Sequence, residues 1–145
     1  LPEKPDQTAA PALSEAGQAR ATALAMALSD ADLTHVFVTP LRRTGDTAAL
    51  AARAHAVTPE AISFDGGTEA HIARVAERVR ALPSDAVVLV VGHSNTVPLI
   101  ARALGETGPA EMRDCEYDRL TVIRLQAGGD SPTVVSRYGA PSACE

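Results

Sequence analysis

Tryptophan is absent from the 145 residues, and only two Phe and two Tyr are present, so a chain that is 46% hydrophobic has to build its core from Ala, Val and Leu. Cysteine is nearly absent too: Cys115 and Cys144 stand alone without CxxC spacing, and two thiols by themselves make no metal site. They are either free thiols or a disulfide that ties down the tail and contributes about 3 to 4 kcal/mol. No run of 18 apolar residues occurs, which excludes a membrane-spanning helix. Thirteen Lys and Arg against 18 Asp and Glu leave a net charge of -5 and no basic stripe to release counterions from a phosphate backbone, which argues against a nucleic-acid partner. The chain opens on Leu1 rather than Met, an end compatible with an exported, processed protein or a trimmed cytoplasmic one. Nothing in the sequence fixes the oligomeric state.

At this length the chain is expected to form one domain over 1–145, burying roughly two thirds of the surface that its unfolded form exposes. Residues 1–12 hold three Pro and no periodicity, so they read as an extended lead-in. The informative stretch is Val87 to Val91, five consecutive apolar residues of which four are Val, followed by Gly92, His93, Ser94 and Asn95. An unbroken apolar run of that length is the pattern of a parallel strand buried on both faces. Gly92 then permits a sharp turn, and Ser94 or Asn95 is placed to cap a helix through Val97, Ile100 and Leu104.

The remaining elements alternate around it. Ser14 opens a helix to about Leu28 with Gly17, Ala21, Leu24, Ala25 and Leu28 in one narrow stripe, and His35–Val38 follows as a short strand. Thr39 and Pro40 look like a helix start, Thr at the cap and Pro in the first turn, for a helix from Leu41 to about His55. Thr58–Phe64 is a weaker strand ended by Asp65, Gly66 and Gly67. Thr68–Leu82 repeats Ile72, Val75, Ala76 and Val79 at the spacing of a buried helical face. Beyond a Gly-Pro loop near 105–109, Leu120–Leu125 and Thr133–Tyr138 flank a Gly128–Asp130 turn as a hairpin. The order implies a three-layer α/β/α fold with a mostly parallel central sheet and an antiparallel C-terminal edge hairpin.

Two strand ends carry chemistry. If His35–Val38 and the Val-rich strand are parallel members of one sheet, the turns after them open onto one crevice. That crevice holds Arg42 or Arg43, His93 and the amide groups of two helix starts. All are donors or cations, so the site suits an anion, and a guanidinium fork with an imidazole suits a phosphoryl group. His35, His55 and His71 have no such setting and read as surface or core-edge residues. No cofactor and no metal site is expected.

Three blocks in order, Leu13–Ala21, Thr39–Ala48 and Val90–Pro98, resemble the histidine phosphatase (phosphoglycerate-mutase-like) superfamily, and the similarity extends to the Tyr117–Leu120 and Arg137–Pro141 segments. The short intervals look like the compact phosphohistidine-phosphatase-like branch. The resemblance implies a metal-independent mechanism: one His attacks phosphorus, water hydrolyses the phosphohistidine, and a second His with two Arg holds the equatorial oxygens. Carried over by motif, His93 is the second His and Arg43 one of the clamps, acting on a phosphorylated small molecule or a phosphoprotein; Ser94 and Asn95 would add phosphate contacts, and Asp65 and Glu69, after the weaker strand, are candidates for the family's acid/base. The family's opening strand, which ends in Arg-His-Gly or Arg-His-Ala and supplies the nucleophile, is not found within these 145 residues. It is expected upstream of Leu1.

Two rivals stand beside this reading. A serine hydrolase would use Gly92-His93-Ser94-Asn95-Thr96 as a nucleophile elbow, but Thr96 stands where close packing requires Gly, and no His follows Ser94. A catalytically inactive phosphate-binding or interaction module of the same fold needs no nucleophile at all.

Overall fold

The computed structural model describes residues 14–105, 112, 119–125 and 132–139. The lead-in over 1–12, Cys115, Cys144, Tyr117, Asp118 and the Gly128–Asp130 turn lie outside them. In chain order the elements are α1 (Glu15–Ala27), β1 (His35–Val38), α2 (Arg42–Ala54), β2 (Glu60–Ala61), α3 (Thr68–Arg80), β3 (Val88–Val90), α4 (Val97–Ala103), β4 (Arg119–Ile123) and β5 (Thr133–Arg137).

Strand alternation sorts the core into two faces. Val36, Val38 and Leu89 pack with Leu24 of α1 and Ala48, Ala51 and Ala52 of α2, whereas Phe37 packs with Val75 and Ala76 of α3 and Ile100 of α4. Adjacent side chains on a pleated strand point to opposite faces, so a strand carrying Val-Phe-Val must be covered twice. Helices α1 and α2 cover one side, α3 and α4 the other, and the result is the three-layer α/β/α arrangement. Three of the five Ala of α2, at positions 48, 51 and 52, are at most 1% exposed, the spacing of one helical face. Small side chains there bring α1, α2 and the sheet into close approach.

The sheet runs β2-β1-β3, with both pairings parallel. His35 pairs with Val88 and Phe37 with Val90, so the ends of β1 and β3 leave the sheet side by side. The strand expected over 58–64 contracts to Glu60–Ala61, with Ile62 adding one further bond to Val38 O. It stops there because the Ser63 carbonyl accepts from His71 Nδ1 and Arg74 Nη1 of α3 instead of a sheet neighbour. The C-terminal hairpin is antiparallel, with Val122 opposite Val134, but forms a two-stranded sheet of its own. It rests on both cores: Leu120 and Tyr138 on the α1/α2 side, Ile123 on the α3/α4 side.

Helix starts follow the sequence at one place and depart from it at two. Ser14 caps α1 by accepting from Gly17 N at 3.1 Å. Thr39 does not cap α2, whose N-cap is Leu41 without a side-chain bond, and neither Ser94 nor Asn95 caps α4, whose N-cap is Thr96. No described helix is long and apolar enough to cross a membrane.

Candidate active site

The loop from β1 into α2 is tied by two hydroxyls. Thr39 and Thr44 are 3% and 2% exposed, and their Oγ1 atoms lie 2.9 Å apart. Thr44 Oγ1 accepts from Thr39 N at 3.1 Å and lies 2.9 Å from Leu41 O, to which it donates. Each hydroxyl has one proton and two lone pairs, so Thr44 fixes the turn while Thr39 Oγ1 keeps capacity for a partner outside it. That partner is His93: Thr39 Oγ1 lies 3.0 Å from His93 Nε2, with donor and acceptor set by the imidazole tautomer. This is why Thr39 does not cap the helix. Its hydroxyl is directed across the sheet to the next strand end.

The turn after β3 is equally constrained. His93 N donates to Thr96 Oγ1 at 3.0 Å, and His93 O accepts from Thr96 N at 3.0 Å and Val97 N at 2.9 Å. Thr96 is 1% exposed and closes this turn from inside, the task the sequence had offered to Ser94 or Asn95. A Cβ at position 92 would lie 2.9 Å from Thr96 Oγ1 and 3.1 Å from Val97 Cγ2, so only glycine fits. Asn95 is exposed and Ser94 half-buried, both in the turn itself. Helix α4 has only seven residues, too short for its dipole to contribute much to an anion site.

The two Arg divide cleanly. Arg42 is exposed and its Nε donates to Asp46 Oδ2 at 3.2 Å, one turn along α2. Arg43 is half-buried on the first turn of α2, four residues beyond Thr39, and its carbonyl accepts from Thr47 Oγ1 at 2.7 Å.

A third strand end joins the other two. The Phe64 ring lies 6.2 Å from the His93 ring and 4.4 Å from that of His71. His71 is 1% exposed, not the surface or core-edge residue that its surroundings in the sequence suggested. It replaces an aliphatic side chain on the buried face of α3 because its Nδ1 has a carbonyl to reach, Ser63 O at 3.1 Å. Arg74 holds the same loop through Ser63 O at 2.6 Å and Asp65 O at 3.0 Å. Asp65 and Glu69 are both exposed beside this loop. The sequence gives Phe64 no more than a strand end and His71 a place at the surface or core edge, and so assigns neither to the site. The signal was available: Phe64 is one of two Phe and stands just after a strand, before Gly66 and Gly67, whose φ values of +89° and +97° turn the chain into α3.

Residues 5–63 match the sequence model of the histidine phosphatase superfamily (branch 1), a span that takes in the Thr39–Arg43 block and ends before His93. Among solved structures the chain is similar to mycobacterial hydrolase 2, with a TM-score of 0.59 and 17% identity over 92% of this chain and 82% of that one. It is also similar to mycobacterial hydrolase 1, with a TM-score of 0.58 and 17% identity over 90% of this chain and 88% of that one. At such identity the likeness establishes the fold alone. No curated protein matches the sequence.

Proposed function

We propose, on the histidine phosphatase superfamily assignment that residues 5–63 support, that this chain is a metal-independent phosphohydrolase acting on phosphomonoesters or phosphohistidine. The observation that carries the proposal is the 3.0 Å contact between Thr39 and His93, which brings the ends of two parallel neighbouring strands to one point. In open α/β sheets that is where ligands bind.

In the proposed reaction a histidine nitrogen attacks phosphorus in line, the P–O bond of a monoester or the P–N bond of a phosphohistidine breaks as the leaving group takes up a proton, and water then displaces the histidine to release phosphate. Negative charge spreads over the three equatorial oxygens at each step. Arg43 and His93 are assigned to those oxygens, with Ser94 and Asn95 as further donors. A fixed donor of this kind is worth about 2.7 to 4 kcal/mol in the transition state. Asp65, next to Phe64 in the loop, and Glu69, in the first turn of α3, are the candidates for an acid/base.

The nucleophile is assigned to an Arg-His-Gly or Arg-His-Ala strand outside residues 1–145, and the far edge of β3 supports that assignment. The ladder to β1 uses Val87 O, Leu89 and Val91 N, which turns the N–H and C=O of Val88 and Val90 away from β1. Among the described residues no strand pairs with that edge, although the Val88 and Val90 side chains pack on the α3/α4 core as those of an interior strand do. Hydrolysis of p-nitrophenyl phosphate by protein extended upstream of Leu1, undiminished by EDTA and accompanied by an acid-labile phosphohistidine, tests the proposal. Binding of phosphate with no turnover in that protein would instead identify a phosphate-binding module.

A further inference from the structure

His71 is a buried polar side chain with no part in the reaction just described. Its Nδ1 is 3.1 Å from Ser63 O, an acceptor, so the ring carries its proton there and is held in one orientation. The ring then stacks on Phe64 at 4.4 Å between centroids and 37° between planes. Phe64 in turn faces His93 at 6.2 Å and 33°, within the range of about 4.5 to 7 Å over which aromatic rings attract. The loop carrying Phe64 has little freedom. Arg74 grips the carbonyls on both sides of it, Asp65 N donates to Ser63 Oγ at 2.9 Å, and Gly67 N donates to Phe64 O at 2.9 Å.

We infer that Phe64, buttressed by His71, is a positioning residue that fixes the plane of the His93 imidazole, an inference that rests on the phosphate-site role proposed for His93. The imidazole edge is set by Thr39, and the Phe64 ring beside it restrains the plane of the imidazole. Helix α3 thereby contributes to the site without a group that touches substrate: its buried His71 supports Phe64, and Phe64 supports His93. The cost of burying an imidazole at a position that an aliphatic residue would fill more simply is offset by the hydrogen bond to Ser63 O.

The test follows the His93 imidazole by two-dimensional NMR over about pH 5 to 8, the range in which histidine titrates. It compares protein extended upstream of Leu1 with its Phe64→Leu, Phe64→Tyr and His71→Leu variants, and ends each series with orthophosphate. Phe64 is half-buried on a loop, so Leu is tolerated by the fold, and thermal melting checks that it is. Phe64→Leu is expected to move the His93 midpoint and to weaken orthophosphate binding by about threefold to tenfold, while Phe64→Tyr stays within about twofold. His71→Leu shifts both readouts in the same direction as Phe64→Leu, by less. An unmoved His93 midpoint in both Leu variants overturns the inference. If the extended protein binds no orthophosphate, the proposed function falls, yet the His93 midpoints still decide whether Phe64 positions it.

Discussion

Thr39 Oγ1 and His93 Nε2 lie 3.0 Å apart across the ends of two parallel strands, joining residues 54 positions apart in the sequence. Neither residue is held there by its own strand alone. Thr39 is held by Thr44 and His93 by Thr96, so each half of the contact is built by a hydroxyl within its own turn.

Replacing Thr39 with Val keeps the shape of this junction and removes its hydrogen bonding. The variant is expected to lose about 1 to 3 kcal/mol of stability, since Thr44 and His93 lose a partner at a nearly buried position, and to bind orthovanadate more weakly. Thr39→Ser keeps the hydroxyl and is expected to stay close to the unaltered chain. Denaturant unfolding and a vanadate titration measure the two effects.

Two glycines make opposite predictions. Gly92→Ala puts a Cβ 2.9 Å from Thr96 Oγ1, and relief of that overlap has to displace the His93 turn at a cost of about 1 to 3 kcal/mol. Gly45 lies inside α2 with nothing within 4 Å of an added Cβ, so Gly45→Ala is expected to stabilise by about 0.5 to 1 kcal/mol. Thermal melting of both variants distinguishes a glycine required by packing from one that only loosens a helix.

The adjacent arginines separate in the same way. Arg43→Ala, like His93→Ala, is expected to lower phosphatase turnover at least about tenfold, roughly 1.4 kcal/mol of transition-state stabilisation. Arg42, exposed and paired with Asp46, is expected to change turnover less than about twofold as Ala, because an exposed pair within one helix contributes little. Steady-state kinetics in protein that carries the nucleophile-bearing strand reads the difference.

Acid affects the β2 to α3 connection. Both Arg78 terminal nitrogens donate to the Glu60 carboxylate, and these hydrogen bonds hold the Glu60 pKa below its usual value of 4.5. A depressed carboxylate pKa means that the stabilising contribution is present above the unfolded value and fades as pH falls through the folded one. Glu60→Gln is therefore expected to melt lower than the unaltered chain near neutral pH and to converge with it below about pH 4. Melting temperature against pH checks this, and the gap at neutral pH is small because both side chains are solvent-accessible.

How much of this was legible in the sequence depended on whether the signal was local. The Val-rich run, the Ser14 cap and the periodic faces of α1 and α3 are each specified within a few residues, and the layered α/β/α order followed from them. The use of Thr39 was not legible, because a hydroxyl next to a helix start is chemically suited both to capping and to a distant imidazole, and only the β1 to β3 register decides between them. His71 was missed for a related reason. A histidine on an apolar face is stable only if an acceptor meets it, and here the acceptor is a carbonyl eight residues earlier that Gly66 and Gly67 bring into place. The hairpin was legible as a hairpin from its alternation. Its pairing apart from the main sheet was not, since alternation does not specify which edge a strand joins.

A crystal structure with orthovanadate bound decides whether the two strand ends hold one anion, because vanadate adopts the geometry of the phosphoryl group in transit. A single anion is expected at the ends of β1 and β3, contacted by both the Arg43 guanidinium and the His93 imidazole, with Thr39 still beside His93. An anion bound elsewhere, or one that touches neither side chain, would contradict it.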